Sequence, residues 1–355
     1  MTRVAARAAA PKRINLALQG GGSHGAFTWG ALDALMEDER LEIEGISGAS
    51  AGSMNAVVFA SGLQEGGREG ARNKLHQFWL SVSAEGALPA AERPMFDLWL
   101  RSWQSLFSPQ SWADAITEAS SPYRFNPLNL NPLLDHLKGV VDFAALRRGV
   151  SPKLFIAATN VRTGKGEIFH RDILTADHVM ASACLPRLFQ SVVISGVPYW
   201  DGGYSGNPPL WPLFYETDCC DAVIIQINPI EREGTPQSPM EISNRIDEIS
   251  FNAPLLAELR AADFVARLIE EGALKSKRYR REFLHRIGGD GKLETLGAET
   301  KEDVSWSFLK SLRDLGRAAA KAWLEENFDS IGVRSTLDVA KALRKPEDSK
   351  QPIGS

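Results

Sequence analysis

Gly48-Ala49-Ser50-Ala51-Gly52 stands one residue after the apolar stretch Leu41-Glu42-Ile43-Glu44-Gly45-Ile46 and before Ser53-Met54-Asn55-Ala56-Val57-Val58-Phe59-Ala60, which reads as a helix. Strand, G-x-S-x-G and helix in that order form the pattern of a nucleophile elbow, a sharp turn that exposes a serine hydroxyl. Such a turn leaves no room for side chains at Gly48 and Gly52, and glycine tolerates backbone angles that a side chain forbids. Small-residue loops also occur widely in α/β proteins, so the pentapeptide gains weight only from other motifs.

Upstream, Ile14-Asn15-Leu16-Ala17-Leu18 reads as a short strand, and Gln19-Gly20-Gly21-Gly22-Ser23-His24-Gly25-Ala26-Phe27 follows it at once. Trp29, Ala31, Leu32, Leu35 and Met36 then recur at helical spacing, so the glycines occupy a strand-to-helix loop. Consecutive glycines let backbone N–H groups converge at a helix N-terminus, where the dipole favours negative charge. Such a loop can hold a phosphate or the oxyanion of a tetrahedral intermediate. Its glycine spacing is also that of a dinucleotide site, for which Glu42 or Glu44 would have to act as the ribose-binding acid. However, the chain runs straight into a serine elbow, which a dinucleotide domain does not need, and G-x-x-x-x-G-K-[ST] is absent. An oxyanion hole is the better reading.

Asp201-Gly202-Gly203 follows Val192-Val193-Ile194-Ser195-Gly196-Val197-Pro198-Tyr199-Trp200, which looks like two short strands joined at Ser195-Gly196. In isolation such a tripeptide is commonly only a turn. Close to a serine, its carboxylate can instead orient the hydroxyl and take its proton. Taken in order, Gly-Gly-Gly-x-x-Gly, Gly-x-Ser-x-Gly and Asp-Gly-Gly resemble a patatin-like phospholipase over roughly residues 13 to 230. The resemblance implies a Ser-Asp dyad without histidine, with Ser50 the nucleophile and Asp201 the base. It implies an oxyanion hole in the Gly20, Gly21, Gly22, His24, Gly25 loop, with the N–H groups around Gly21 and Gly22 as donors. Gly48, Ala51 and Gly52 complete the elbow, and Gly202 and Gly203 the aspartate motif. Ala181-Ser182-Ala183-Cys184-Leu185-Pro186-Arg187-Leu188-Phe189 resembles the family's small-residue helix and proline turn, and Asn207-Pro208-Pro209 the stretch after the aspartate. One departure is that the family's glycine loop usually carries Arg or Lys where this chain has His24. A histidine assists an oxyanion fully only when protonated, so assistance and plain loop packing both stay open for it.

Spacing argues against the commoner serine hydrolases independently. In an α/β-hydrolase the elbow follows several strands and the order is Ser, acid, His, whereas only two strand candidates precede Ser50. Only His285 lies beyond Asp201, in the charged run Arg280-Arg281-Glu282-Phe283-Leu284-His285-Arg286, which predicts a solvated edge rather than a third catalytic member. The other histidines lack metal-ligand spacing, and neither H-E-x-x-H nor C-x-x-C is present, so neither metal nor cofactor is expected.

The 355 residues are 44% hydrophobic and 24% charged, an ordinary globular balance. A net charge of −4 and the absence of recognition motifs argue against nucleic acid as a partner. Cys184, Cys219 and Cys220 form no disulfide framework, and no stretch reaches the length of a membrane span. A cytoplasmic protein is expected, with peripheral membrane contact allowed and the oligomeric state open. Lys153-Leu154-Phe155-Ile156-Ala157-Ala158-Thr159-Asn160-Val161, Gly166-Glu167-Ile168-Phe169 and Asp221-Ala222-Val223-Ile224-Ile225-Gln226-Ile227-Asn228 read as further strands. Buried β-branched runs separated by helices argue for an α/β fold with a largely parallel sheet, its site at the carboxyl ends of the strands. The resemblance makes this a three-layer α/β/α arrangement with a C-terminal helical extension.

Two regions depart from that core. Residues 79 to 134 concentrate Trp79, Phe96, Trp99, Trp103, Phe107 and Trp112, either packing on the core or forming a lid or acyl-binding wall. Further on, 241–271 and 304–328 carry apolar residues at helical intervals, and Lys275, Lys277, Arg278, Arg280 and Arg281 form a basic cluster suited to a solvated helix end or to lipid headgroups. The expected division is a basic tail to residue 12, a catalytic domain over 13–235 with an insertion near 79–134, a helical region over 236–330 and a polar tail after it. The expected activity is that of a serine acyl hydrolase on a lipid ester. A thioesterase or polyester depolymerase with the same dyad, and a non-catalytic lipid-binding protein, are the alternatives.

Overall fold

A computed structural model describes residues 10–83, 121–129, 131–232, 234–275, 279–289, 291–293, 296, 300 and 303–343. Among the described residues, eight strands form one sheet: β1 (Lys12–Leu18), β2 (Leu41–Gly48), β3 (Lys153–Asn160), β4 (Gly166–His170), β5 (Val192–Ile194), β6 (Val197–Asp201), β7 (Asp221–Ile225) and β8 (Phe283–Ile287). Their order is β5-β6-β3-β2-β1-β7-β8, with β4 paired to β3 off this path. The β3-β2-β1-β7-β8 run is parallel, while β4, β5 and β6 add antiparallel pairings around β3.

The twofold alternation of side chains along a strand builds two cores. Ile14, Leu16 and Leu18 of β1 and Val223 and Ile225 of β7 face one core, with α1 (Gly25–Glu37), α2 (Ala51–Val82) and the C-terminal helix Trp306–Asn327. Ala17, Ala222 and Ile224 face the other, closed by the helices Trp211–Glu216, Pro239–Glu270 and Val339–Leu343. The result is a mixed, mostly parallel sheet between two helical layers. α2 runs far past the elbow, bending where Gly66 and Gly67 leave helical geometry and Gly67 takes φ 62°. Trp79, grouped with the aromatic segment in the sequence, is instead a core residue of α2, its indole N–H donating to Asn55 Oδ1 at 3.0 Å. Phe96, Trp99, Trp103, Phe107 and Trp112 lie outside the described residues.

The C-terminal region is woven into this core. β8 extends the sheet beside β7, and the Trp306–Asn327 helix crosses α1 so closely that a Cβ at Gly30 would overlap the Arg313 carbonyl, and one at Gly316 the Phe27 carbonyl. His285, expected at a solvated edge, is fully buried. Its Nε2 lies 3.0 Å from Asp221 Oδ1 and its Nδ1 2.9 Å from Thr336 Oγ1. The flanking arginines misled the reading: Arg280 is drawn to Glu282 and to carbonyls of Asp218 and Cys219, and Arg281 pairs with Glu270. The chain beyond residue 330, grouped with a polar tail, places Ile331 in the first core and Val339 in the second. Lys277 and Arg278 lie outside the described residues, as do residues 1–9 and 344–355.

Candidate active site

β2 and β6 meet on the same edge of β3. β4 occupies the opposite edge continuously from Phe155 to Thr159. On the shared edge Gly48 pairs with Ile156, and Asp201, arriving antiparallel, pairs with Ala158. The last residue of β6 is thereby delivered to the point where β2 ends and turns into α2. Ser50 sits in that turn with φ 54°, a strained conformation that a non-glycine residue adopts rarely. Its N–H donates to the carbonyl and to Oγ of Ser182, both at 3.1 Å, so the end of the Ala176–Ser182 helix fastens the elbow. Ala51 and Gly52 open α2. A Cβ at Gly52 would overlap the Leu18 carbonyl, and one at Gly48 would lie 2.8 Å from Gly52 carbonyl atoms, so neither position admits a side chain.

Asp201 is completely buried. Its backbone is held at both ends, the N–H donating to the Cys184 carbonyl at 2.8 Å and the carbonyl accepting from Thr159 Oγ1 at 2.7 Å. Oδ1 accepts the Gly203 N–H at 2.7 Å. Oδ2 is buried without a partner at normal hydrogen-bond geometry, although the Ser50 hydroxyl is near enough to stabilise the ionised carboxylate. Burial pushes the carboxyl up to about 7, against the opposing pull of the Gly203 N–H and the Ser50 hydroxyl. Gly202 and Gly203 are forced by contact: a Cβ at the first would overlap the Ala157 carbonyl, and at the second the Phe251 ring.

A family model described as Patatin-like phospholipase matches residues 16–214, more than half of the chain. The chain belongs to the patatin-like phospholipase family. Lipid acyl hydrolysis is the general activity that this membership carries. Among solved structures, VipD from Legionella pneumophila is similar at 16% identity and a TM-score of 0.43, covering 89% of this chain and 67% of VipD. No curated protein matches. No helix among the described residues is long and apolar enough to cross a membrane. Likewise, no group of three or more His, Cys, Asp or Glu among them is arranged to hold a metal ion.

The patatin-like glycine loop lies against the elbow, since a Cβ at Gly20 would come 2.6 Å from both Ser50 Cβ and the Ala49 carbonyl oxygen. Gly20 N–H is already bonded to Asn207 Oδ1 at 2.7 Å. Among the described residues, the N–H groups of Gly21 and Gly22 meet no acceptor, and Gly22 takes φ 61°. Gly25 begins α1 and accepts Asn55 Nδ2 at 3.0 Å. His24 is buried, with Nε2 2.8 Å from Thr300 Oγ1, while Ser23 Oγ donates to the Thr300 carbonyl at 3.0 Å.

Sequence reasoning gave no role to the polar cluster that aims this loop. Gln19 is fully buried, and its Oε1 accepts the N–H groups of Ile227 and Asn228 at 2.8 and 2.7 Å. Its Nε2 donates to the Asn207 carbonyl at 3.2 Å and to Asn252 Oδ1 at 3.0 Å. Asn228 Nδ2 in turn donates to the Gly20 carbonyl at 2.6 Å. The available signal was an amide residue directly after each of two buried strands, Gln19 after β1 and Gln226 to Asn228 after β7.

Proposed function

We propose that this chain is a serine acyl hydrolase that cleaves a lipid ester with a Ser50-Asp201 dyad and a glycine-loop oxyanion hole. The observation that carries the proposal is the convergence of a strained serine and a buried, half-partnered carboxylate where β2 and β6 meet on β3. Asp201 Oδ2 accepts the Ser50 proton as Oγ bonds to the acyl carbon and the carbonyl π electrons move onto oxygen. The Gly21 and Gly22 N–H groups are the donors for that oxyanion, because Gly20 is committed to Asn207. As the intermediate collapses, the C–O bond to the alcohol breaks and the leaving oxygen takes the proton from Asp201. Water then gives a proton to Asp201 and attacks the acyl-enzyme. The second intermediate releases the fatty acid, and Ser50 recovers its proton. The loose Ser50–Asp201 contact is expected to tighten when substrate fills the site.

The test is turnover of p-nitrophenyl esters of graded chain length, followed by defined lipids, with Ser50→Ala, Asp201→Asn and the double variant. Each single variant should abolish hydrolysis with circular dichroism unchanged. The double variant should be about as inactive as either, because the two act as a unit. A folded Asp201→Asn protein that keeps most of its activity overturns the dyad.

A further inference from the structure

β8 stands at the end of the strand order, and the chain itself already pairs part of its outer edge. Along a parallel strand, alternate residues turn their N–H and carbonyl groups to opposite sides. Phe283 and Ile287 turn theirs toward β7, the Phe283 N–H donating to the Cys220 carbonyl at 2.8 Å and the Ile287 carbonyl accepting the Gln226 N–H at 2.9 Å. Leu284 therefore faces outward. Its N–H donates to Ser335 Oγ at 3.0 Å, and its carbonyl accepts the Thr336 and Leu337 N–H groups at 3.1 and 2.9 Å. Arg286 faces the same way two residues on, but the covering segment has by then turned off into the helix Val339–Leu343. Among the described residues, neither the N–H nor the carbonyl of Arg286 has a partner, and the next outward N–H, that of Gly288, has none either.

This bare edge lies in a cavity of about 670 Å³, the size of a ligand pocket. One wall is Ala319, Ala322 and Trp323 of the helix Trp306–Asn327, on the side of the first core. The other is Lys341 and Ala342 of the helix Val339–Leu343, on the side of the second. The side chain of Arg286 shares that second side, because it has the strand parity of Leu284. Glu231, Glu326 and Asp338 line the cavity too, so its charge is mixed and a bare anion fits it poorly. A strand fits it better: its backbone offers the edge both a donor and an acceptor, and its side chains alternate between the two walls. We propose that the cleft takes up an extended peptide of a partner protein, which adds to the sheet beside β8. Its acidic side chains face Arg286 and Lys341, and its apolar ones face Ala319, Ala322 and Trp323. Such a strand continues the pairing that Ser335–Leu337 begins at Leu284. The recess between two helices admits a single chain and keeps out the edge of a second folded sheet.

The inference stands apart from the acyl-hydrolase reading, since none of the residues lining the cleft belongs to the Ser50 elbow, the glycine loop or the Asp201 loop. Full-length protein is titrated calorimetrically with the capped peptide Thr-Glu-Val-Glu-Thr, and amide exchange along β8 is followed by NMR. The Arg286 and Gly288 amides should exchange freely in the protein alone and about tenfold or more slowly when the peptide saturates it. Two N-methylated peptides separate a paired strand from any other mode, one methylated at the threonines and valine, the other at the glutamates. Only one of these sets of N–H groups faces β8, so one peptide should lose about tenfold or more in affinity and the other should bind within about threefold of the parent. Arg286→Glu should weaken the parent peptide about tenfold while melting temperature and turnover of a short soluble ester hold. Absence of binding at about 1 mM peptide, equal effects of the two methylation patterns, or equal binding of free glutamate or inorganic phosphate overturns the proposal. So does an Arg286 amide already protected in the protein alone, which would mean that the chain itself or a second copy covers the edge.

Discussion

At Asp201 the proposed dyad would couple catalysis to stability through one carboxylate. Burial pushes its carboxyl up to about 7, so the proposed base is half protonated near neutrality. The logarithm of kcat/KM on a soluble ester should rise with unit slope as pH climbs to about 7 and then level off. A flat profile across that range would remove Asp201 as the titrating base. The stability effect has the opposite sign. An acid whose pKa is raised on folding contributes its full stability below its unfolded value near 4 and loses it as pH rises through about 7. Asp201→Asn should therefore gain in melting temperature relative to wild type as pH goes from 4 to 8, by the equivalent of a few kcal/mol. Half-buried Glu258 and Glu282, also raised to about 7 by desolvation, add the same slope to both proteins and cancel in the comparison. Gly20 offers a purely steric test. Its added Cβ would press on Ser50, and Gly20→Ala should lose about a hundredfold in kcat, as misplacement of a reacting group by an ångström does.

Elements reach the site through polar ties. Gln19 joins the end of β1 to the chain after β7, to Asn207 and to Asn252 of the Pro239–Glu270 helix. Gln19→Ala would strand several buried partners, each costing about 1–3 kcal/mol. Urea unfolding should show a loss of that order or more, and activity should fall along with it because the glycine loop hangs from the same residue. The crossing of α1 with the Trp306–Asn327 helix is apolar and depends on bare backbone. Gly316→Val should overpack it and destabilise by about 1–3 kcal/mol or more, with kcat retained while the protein remains folded.

For the whole molecule, the tie between the C-terminal segment and the sheet is His285, which bridges Asp221 and Thr336 while Gly332 N–H donates to the same Asp221 oxygen at 2.8 Å. These contacts lie at the amino end of β7, and the proposed dyad lies past the carboxyl ends of the parallel strands. His285→Ala should therefore lower stability by about 1–3 kcal/mol yet keep kcat within about tenfold at low temperature. A thousandfold loss in a folded variant would argue for a Ser-Asp-His triad instead.

The order of strands and helices, the elbow at Ser50, the glycine loop and the hairpin leading to Asp201 were legible in the chain because each is a local pattern. Periodicity and glycine placement act over a few residues, and the turns they specify form wherever the chain goes. The mostly parallel sheet followed from buried β-branched runs. What the chain did not disclose was pairing between distant segments. That β6 would run antiparallel along the edge of β3 vacated by β2, bringing Asp201 to Ser50, depends on sheet register. The burial of His285 depended on where Arg280 and Arg281 found their partners, which no local charge count reveals. The uses of Gln19, Asn207, Asn228 and Asn252 likewise arise only when four separate segments are packed together, since an amide has no signature until its partners are in place. The helix Pro239–Glu270 is a further instance. Its period is plain in the sequence, but only the folded chain shows that Leu255 and Leu259 enter the second core while Asn252 joins the polar cluster at Gln19.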